Sequence, residues 1–358
     1  MTIPVLKIGN LVARFPVIQG GMGVGISLSN LAAAVANCGG VGVISGVETG
    51  FYRPDYARNK RRANLEALAE QIRKARQLSP SGVLGVNIMV AINNFEETVR
   101  TAVRAGIDII FSGAGLPLHL PELAGGSDVK LVPIVSSARA GALLCKHWEK
   151  KHHRLPDALV VEGPKAGGHL GFSQEQLNRP EDFALEKIVP ETVAAVKPFQ
   201  DKRGQSIPII AAGGIWTGQD IARMLKLGAS GVQMATRFVP TYECDASLAF
   251  KEEYFRAKAD DIVLIKSPVG MIGRAIKNKF LDRVAAGESK PIRCAYNCLK
   301  PCRPKESPYC IADALINAQR GELDQGFAFA GVNAWRATKL QSVREVVQEL
   351  KEGMLREL

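Results

Sequence analysis

Eight times in about 240 residues this chain sets down a short run of branched apolar residues and ends it on something small or polar. The runs are FPVIQGG (15–21), VGVISG (41–46), VLGVNIM (83–89), IDIIFSGAG (107–115), KLVPIVSS (130–137), ALVVEG (158–163), PIIAAGG (208–214) and GVQMATR (231–237). Between them lie stretches such as LSNLAAAVANCG, LEALAEQIRKAR, FEETVRTAVRAG and GQDIARMLKLG, whose apolar residues recur at helical spacing. Several of these stretches end in Gly, a helix stop. Strands alternating with helices imply a parallel sheet. Eight such units predict an α/β fold, the closed (β/α)8 TIM barrel, with a doubly wound open sheet as the rival architecture.

The unusual residues gather where the runs end. Gln19, Met22, Ser45, Asn87, Met89, Ser112, Glu162, His169, Gly213, Gly214 and Thr236 all stand at or just after those ends. In such barrels the loops at the C-terminal ends of the strands build the active site. The chain divides into a barrel over 1–240, an elaboration over 241–330 and a closing C-terminal segment over 331–358. Helical spacing in AWRATKLQSVREVVQELKE predicts a helix over 335–353.

Composition narrows the class. At 358 residues, 46% hydrophobic and 23% charged, the chain reads as a soluble globular protein. No apolar run reaches membrane-spanning length, so no membrane partner is expected. The N-terminal stretch lacks a basic region followed by an apolar core, which makes the cytoplasm the expected compartment. The net charge of +11 is uneven, because 266–305 hold ten Lys or Arg against Asp282 and Glu288. Such a patch suits a phosphorylated ligand or an acidic partner. Aromatics are sparse within it, which argues against nucleic acid.

The stretch VVEGPKAGGHLGF (160–172) runs from a sixth strand through glycines to His169. Glycines there let backbone approach a ligand closely. The turns after strands seven and eight offer small residues, Ala212, Gly213 and Gly214, then Ala235 and Thr236. Barrels commonly place phosphate at those two turns, and helix N-termini there add a positive dipole end. The glycines of QGGMG (19–23) let Gly20, Gly21 and Met22 reach a flat ring, and the Asn87 amide suits a ring carbonyl or nitrogen. Each feature also has a plain structural reading as a tight turn or a satisfied loop residue. His119, His147, His152 and His153 lie in helical or basic stretches and read as surface or structural.

FPVIQGGMG…LAAAVANCGGVGVIS, GVNIM, SGAGLP, EGPKAGGHLG, PIIAAGGI and GVQMATRF stand in the same order as in the nitronate monooxygenase (2-nitropropane dioxygenase-like) flavoproteins, and over about residues 10–280 the chain resembles that family. It is similar also to the FMN-dependent enoyl-acyl-carrier-protein reductase of the second type. The resemblance implies a barrel that binds FMN non-covalently, with phosphate at the turns of Ala212–Gly214 and Ala235–Thr236. It implies isoalloxazine over Gly20, Gly21, Met22 and Asn87, and a catalytic His169. Glu162, Gly167, Gly168 and Gln233 complete the expected cofactor-binding set. Two positions depart from the family: Lys165 replaces an acid, and Ala235 replaces the Gly of a Gly-Thr pair. The activity implied is conversion of an alkyl nitronate and O2 to a carbonyl compound and nitrite. The rivals are an NAD(P)H-dependent reductase of enoyl-acyl-carrier-protein thioesters or quinones, and a non-catalytic flavin-binding protein. The expected partners are a small-molecule substrate with O2 or NAD(P)H, an acidic acyl carrier protein at the basic patch, and a second copy in a homodimer.

Seven cysteines are present, four of them in RCAYNCLKPCRPKESPYC: Cys294, Cys298, Cys302 and Cys310. Were 294–302 helical, three sulfurs would share one face. This run is the candidate site for an iron–sulfur cluster or zinc ion, set against the alternative of reduced, partly buried thiols.

Overall fold

Eight parallel strands close into a barrel in the computed structural model of the chain, which describes residues 2–290, 292, 294 and 296–358. They are β1 (Val17–Gln19), β2 (Val41–Ser45), β3 (Val83–Met89), β4 (Ile109–Gly113), β5 (Lys130–Val135), β6 (Leu159–Glu162), β7 (Ile209–Ala212) and β8 (Gly231–Met234). Each pairs in parallel with its sequence neighbours, and β8 returns to β1 through Val232 opposite Val17. All eight apolar runs therefore contain barrel strands.

Although the runs look continuously apolar, the pleat sorts them. Ile18, Val43, Phe111, Val132, Val160 and Ile210 point into the barrel, while Val17, Ile44, Ile110, Leu131, Val161 and Ala211 point outward against helices. Alternation of side-chain direction produces both faces from one run. An N-terminal hairpin, Leu6–Ile8 paired with Leu11–Ala13, plugs the barrel floor with Leu6, Ile8 and Ala13.

The outer layer comprises helices Ser29–Asn37, Lys60–Leu78, Phe95–Arg104, a short Leu120–Leu123, Ala138–His152, Leu185–Arg203 and Gly218–Lys226, one after each of β1 to β7. No helix follows β8 directly; a single turn, Thr236–Phe238, leads into the elaboration. The helix that packs between Gly218–Lys226 and Ser29–Asn37 is Val343–Leu355. It fills the eighth position of the outer layer. The helix expected over 335–353 thus begins only at Val343. Ser342 and Glu345 form a capping box that sets its start, and Ala334–Arg336 is a separate turn.

Between β8 and that helix the chain builds a helix (Leu248–Arg256), a hairpin of β9 (Ile262–Lys266) and β10 (Ile272–Ile276), and helices Lys279–Ala285 and Ile311–Arg320. The two-residue strand Gly168–His169 pairs with β10, Gly273 lying opposite His169. This pairing fastens the loop after β6 to the elaboration and fixes where the histidine stands. Among the described residues no helix is long and apolar enough to cross a membrane.

Candidate active site

Pleat parity carries the barrel's inward rows up to its mouth. Val83 and Gly85 point in, so Asn87 does; Val160 points in, so Glu162 does; Gln233 follows by the same rule. Above them opens a cavity of about 430 Å³ lined by Gly20, Gly21, Met22, Asn87, Glu162 and His169, among others. A second space of about 70 Å³ is lined by Ala212, Gly213, Gly214, Ala235 and Thr236. Glu162, Gly167, Gln233, Ala235 and Thr236 line both, so the two spaces adjoin. Every residue expected in the cofactor and catalytic sets borders one of them.

The small space has the character of a phosphate cradle. Gly213 and Gly214 have φ of 101° and 77°, a region that favours glycine. Among the described residues the amides of Gly213, Gly214 and Thr236 donate to no protein acceptor. The following helix contributes less than the sequence suggests. Thr217 and Asp220 form a capping box in which Thr217 Oγ1 accepts from the Asp220 amide and the Asp220 carboxylate accepts from the Trp216 and Thr217 amides, so a carboxylate already sits at the N-terminus of Gly218–Lys226. The small space is lined by the turns and not by this helix, so the turn amides are the donors that face it. The cradle is closed by a segment without local sequence signal. The Gly331 amide donates to Thr236 Oγ1 at 3.0 Å, Asn333 Nδ2 donates to Gly214 O at 2.7 Å, and the Val332 amide donates to Lys165 O at 3.2 Å.

The large space fits a flat ring on one side. A Cβ on Gly21 would lie 2.4 Å from Asn87 Cβ, so only glycine lets this turn lie against the Asn87 side chain. Among the described residues the side-chain amides of Asn87 and Gln233 have no protein hydrogen-bond partner, nor has the Glu162 carboxyl. Three polar groups thus face the cavity with bonding capacity unused. Burial pushes the Glu162 carboxyl up to about 7.

The glycines before His169 have separate reasons. A Cβ on Gly167 would lie 2.4 Å from the Ala330 carbonyl carbon, so glycine lets the closing segment cross there. Gly168 has φ of 77°. Arg274, buried on β10, donates from Nη1 to Pro164 O at 2.7 Å and Ala166 O at 2.5 Å, bracing the same loop. His169 then lines the cavity with its Nε2 2.8 Å from Ser267 Oγ and its ring edge-on to Phe329, centroids 5.0 Å apart. Burial lowers its pKa to about 4. The imidazole is therefore neutral at ordinary pH, held in orientation by a buried hydroxyl. Lys165 points away, half-exposed, with Nζ 3.9 Å from Glu181, so it brings no cation into the cavity. Sequence reasoning missed Ser267, Arg274, Phe329, Gly331 and Asn333, all of them far from the barrel loops in the chain.

The four clustered cysteines do not assemble as expected. Residues 296–302 are not helical: Leu299 bridges Ile92, and Asn297 has φ of 47°. Cys298 faces the large cavity, whereas Cys294 and Cys310 line a different one. Among the described residues no group of three or more His, Cys, Asp or Glu is placed to hold a metal ion. Burial pushes Cys298 up to about 12 and Cys310 to about 11, so with no metal bound both are protonated thiols. The expectation of an iron–sulfur cluster or zinc ion at this run finds no support among the described residues.

A family model described as nitronate monooxygenase matches residues 6–353. The (3aS,4S,5R,7aS)-5-hydroxy-7a-methyl-1-oxo-octahydro-1H-indene-4-carboxyl-CoA dehydrogenase of Mycobacterium tuberculosis is 27% identical over 272 residues, 76% of this chain and 66% of that protein. The chain therefore spans just under two thirds of that relative's length. A probable nitronate monooxygenase of Staphylococcus aureus is 26% identical over 311 residues, covering 77% of this chain and 79% of that one. Among solved structures, FabK from Thermotoga maritima superposes with a TM-score of 0.74 at 24% identity over 95% of this chain and 93% of that chain. The nitroalkane oxidase from Streptomyces ansochromogenes gives 0.72 at 18% identity over 96% of each. At these identities the structural likenesses speak to the fold alone.

Proposed function

The chain belongs to the nitronate monooxygenase family of oxidoreductases, and from that premise we propose that it binds FMN and oxidises an alkyl nitronate with O2 to a carbonyl compound and nitrite. The observation that carries this reading is the joined pair of spaces, one suited to phosphate and one to a flat ring, with a neutral imidazole on the wall of the larger. The residues fit the cofactor. Gly213, Gly214, Ala235 and Thr236 would hold its phosphate with turn amides and a hydroxyl. Gly20, Gly21 and Met22 would lie along the ring system, and Asn87, Gln233 and Glu162 would answer its polar edge and side chain. When bound, FMN supplies the electron transfer between substrate and oxygen.

The protein's own part is orientation and proton handling. Neutral His169 can accept the proton alpha to a nitro group, or donate its N–H to a nitronate oxygen, and the contact with Ser267 keeps the ring from turning. Gly167 and Gly168 bring the loop backbone onto the cavity wall. Ala330 and Phe329 cover the cavity from the elaboration side and restrict water.

A second reading is reduction or dehydrogenation of an acyl thioester with a pyridine nucleotide as co-substrate. It is favoured by the apolar outer lining of Leu116, Ile134, Leu299 and Leu315, which suits a carbon chain or ring larger than a simple nitronate. The carboxyl-CoA named for the Mycobacterium tuberculosis relative points the same way. Anaerobic mixing of holoenzyme with propyl-2-nitronate, NADH and NADPH in turn separates the readings. Rapid bleaching of the flavin by the nitronate alone is the expected result. Bleaching by a pyridine nucleotide and none by the nitronate overturns the first reading in favour of the second.

A further inference from the structure

Cofactor and histidine do not account for every polar group on the large cavity. Glu48, on the loop after β2, also lines it. The residue is only 5% exposed, and its backbone holds φ of 49°, where a non-glycine residue is strained. Both donors that the fold offers go to one oxygen: the Tyr56 hydroxyl and Asn64 Nδ2, the latter at 3.0 Å, donate to Oε2. Asn64 is fixed in turn by the Gly50 amide, which donates to its Oδ1 at 2.8 Å. Oε2 thus belongs to the fold.

Oε1 has no such partner. Among the described residues no group donates to it and no cation pairs with the carboxylate. Lys60, whose Nζ lies 5.0 Å over the Tyr56 ring, pairs with Asp313 instead. Among the described residues the enclosed side-chain atoms that lack a partner are Ser29 Oγ, Ser79 Oγ and His147 Nε2, so Glu48 Oε1 is not sealed in protein and keeps a face on open space. The space that Glu48 borders is the large cavity. The wall around it is apolar: Val24, Val47 and Leu315 line the cavity and pack in one cluster with Phe51 and Tyr56. A carboxylate oxygen on such a wall is costly unless a donor meets it.

Strand order places this oxygen opposite the histidine. β2 and β6 lie four strands apart in the closed ring of eight, so the loops after them face each other across the barrel mouth. His169 comes from the loop after β6 and Glu48 from the loop after β2. A substrate with its reacting atom beside the imidazole therefore points its far end at the Glu48 side. We propose that Glu48 recognises substrate: Oε1 accepts a hydrogen bond from a hydroxyl or ammonium group at the end of an apolar substrate remote from the reacting carbon. The proposal rests on the oxidoreductase reading and deepens it by naming the class of substrate, an apolar body with a donor at its far end rather than a plain nitroalkane.

The test is titration of holoenzyme, without turnover, with hexanol, hexylammonium and hexanoate, read by the change in flavin absorbance. Hexanol or hexylammonium should bind about tenfold tighter than hexanoate or better, because the first two donate to Oε1 and the third is repelled by it. The tighter of the two identifies hydroxyl or ammonium as the group recognised. Glu48→Gln keeps an acceptor for Tyr56 and Asn64 but replaces Oε1 with an amide N–H, so the preference over hexanoate should fall about tenfold. Should that variant melt well below wild type, Glu48→Asp, which keeps the charge and withdraws it from the cavity, replaces it, with a smaller preference again expected. No binding of any of the three, hexanoate binding as tightly as the donors or tighter, or a preference undiminished in the variant overturns the proposal and leaves Glu48 a structural part alone. Flavin bleaching by nitronate or pyridine nucleotide is read separately, so failure here and failure of the redox reading are distinguishable.

Discussion

Burial disfavours a charged imidazole, and at His169 it does so without a neighbouring carboxylate to offset it, so the ring stays neutral down to about 4. We expect His169→Ala to retain FMN and to lose roughly 10²–10⁴-fold in turnover, the range typical of general acid–base groups, in steady-state assays with the substrate that bleaches the flavin. Activity within about threefold of wild type would return the residue to a structural role. The pH dependence carries a sign. In the unfolded chain a histidine titrates near ~6.5, so on acidification the unfolded state takes the proton first. The stability His169 contributes is therefore present above ~6.5 and lost as pH falls toward about 4. Glu162 works in the opposite sense: its folded value of about 7 lies above the ~4.3 of an unfolded glutamate, so its contribution is lost as pH rises between those values. Melting of the flavin-free protein should lose less stability on acidification from neutral pH in His169→Ala than in wild type. Activity should show no acid limb near ~6.5 from this histidine, since it is already neutral there.

Two helices distant in sequence close the outer layer, and their contact tolerates no added atom. A Cβ on Gly218 would lie 2.2 Å from Leu350 O and 2.3 Å from Met354 N, and backbone atoms cannot swing aside. Gly218→Ala should force Gly218–Lys226 and Val343–Leu355 apart at a cost of roughly 1–3 kcal/mol, the usual range for overpacking, seen as a lower melting temperature with flavin still bound. Elements of this kind were legible in the sequence to different depths. The eight strands could be read because each is a local run with a polar or glycine stop, and pleat parity then dictates that Asn87, Glu162 and Gln233 face the mouth. The start of the last helix was also written locally, in Ser342 and Glu345, but the apolar spacing from Trp335 onward masked it. Gly331 and Asn333 carried no local sign, because their partners Thr236 and Gly214 lie about a hundred residues earlier and only the folded elaboration brings them together. The cysteine run misled for the opposite reason. Its regular spacing suggested one helical face, whereas the bridge of Leu299 to Ile92 breaks any helix there and turns the sulfurs toward different cavities.

At the scale of the molecule, the elaboration is an insertion between the eighth strand and the eighth helix, and it supplies the cover of both candidate ligand spaces. Phe329 and Ala330 line the large cavity, Ser267 holds the His169 that lines it, and Gly331 and Asn333 close the cradle, so neither is complete within the barrel alone. A variant ended at Gln341 keeps every strand and the elaboration but loses Val343, Val346, Val347, Leu350 and Met354 from the outer layer. It should bind an apolar dye and lose cooperative melting, whereas retention of a sharp transition would mean the barrel stands without its eighth helix. The position of that helix also orders events during synthesis. Strands emerge in sequence and can pair with their neighbours, yet the gap between Gly218–Lys226 and Ser29–Asn37 cannot be covered until the whole of 235–342 has left the ribosome. For that interval any barrel already formed lacks the cover of its last helix, and the apolar flank stays open to misassociation until Val343–Leu355 arrives to fill it.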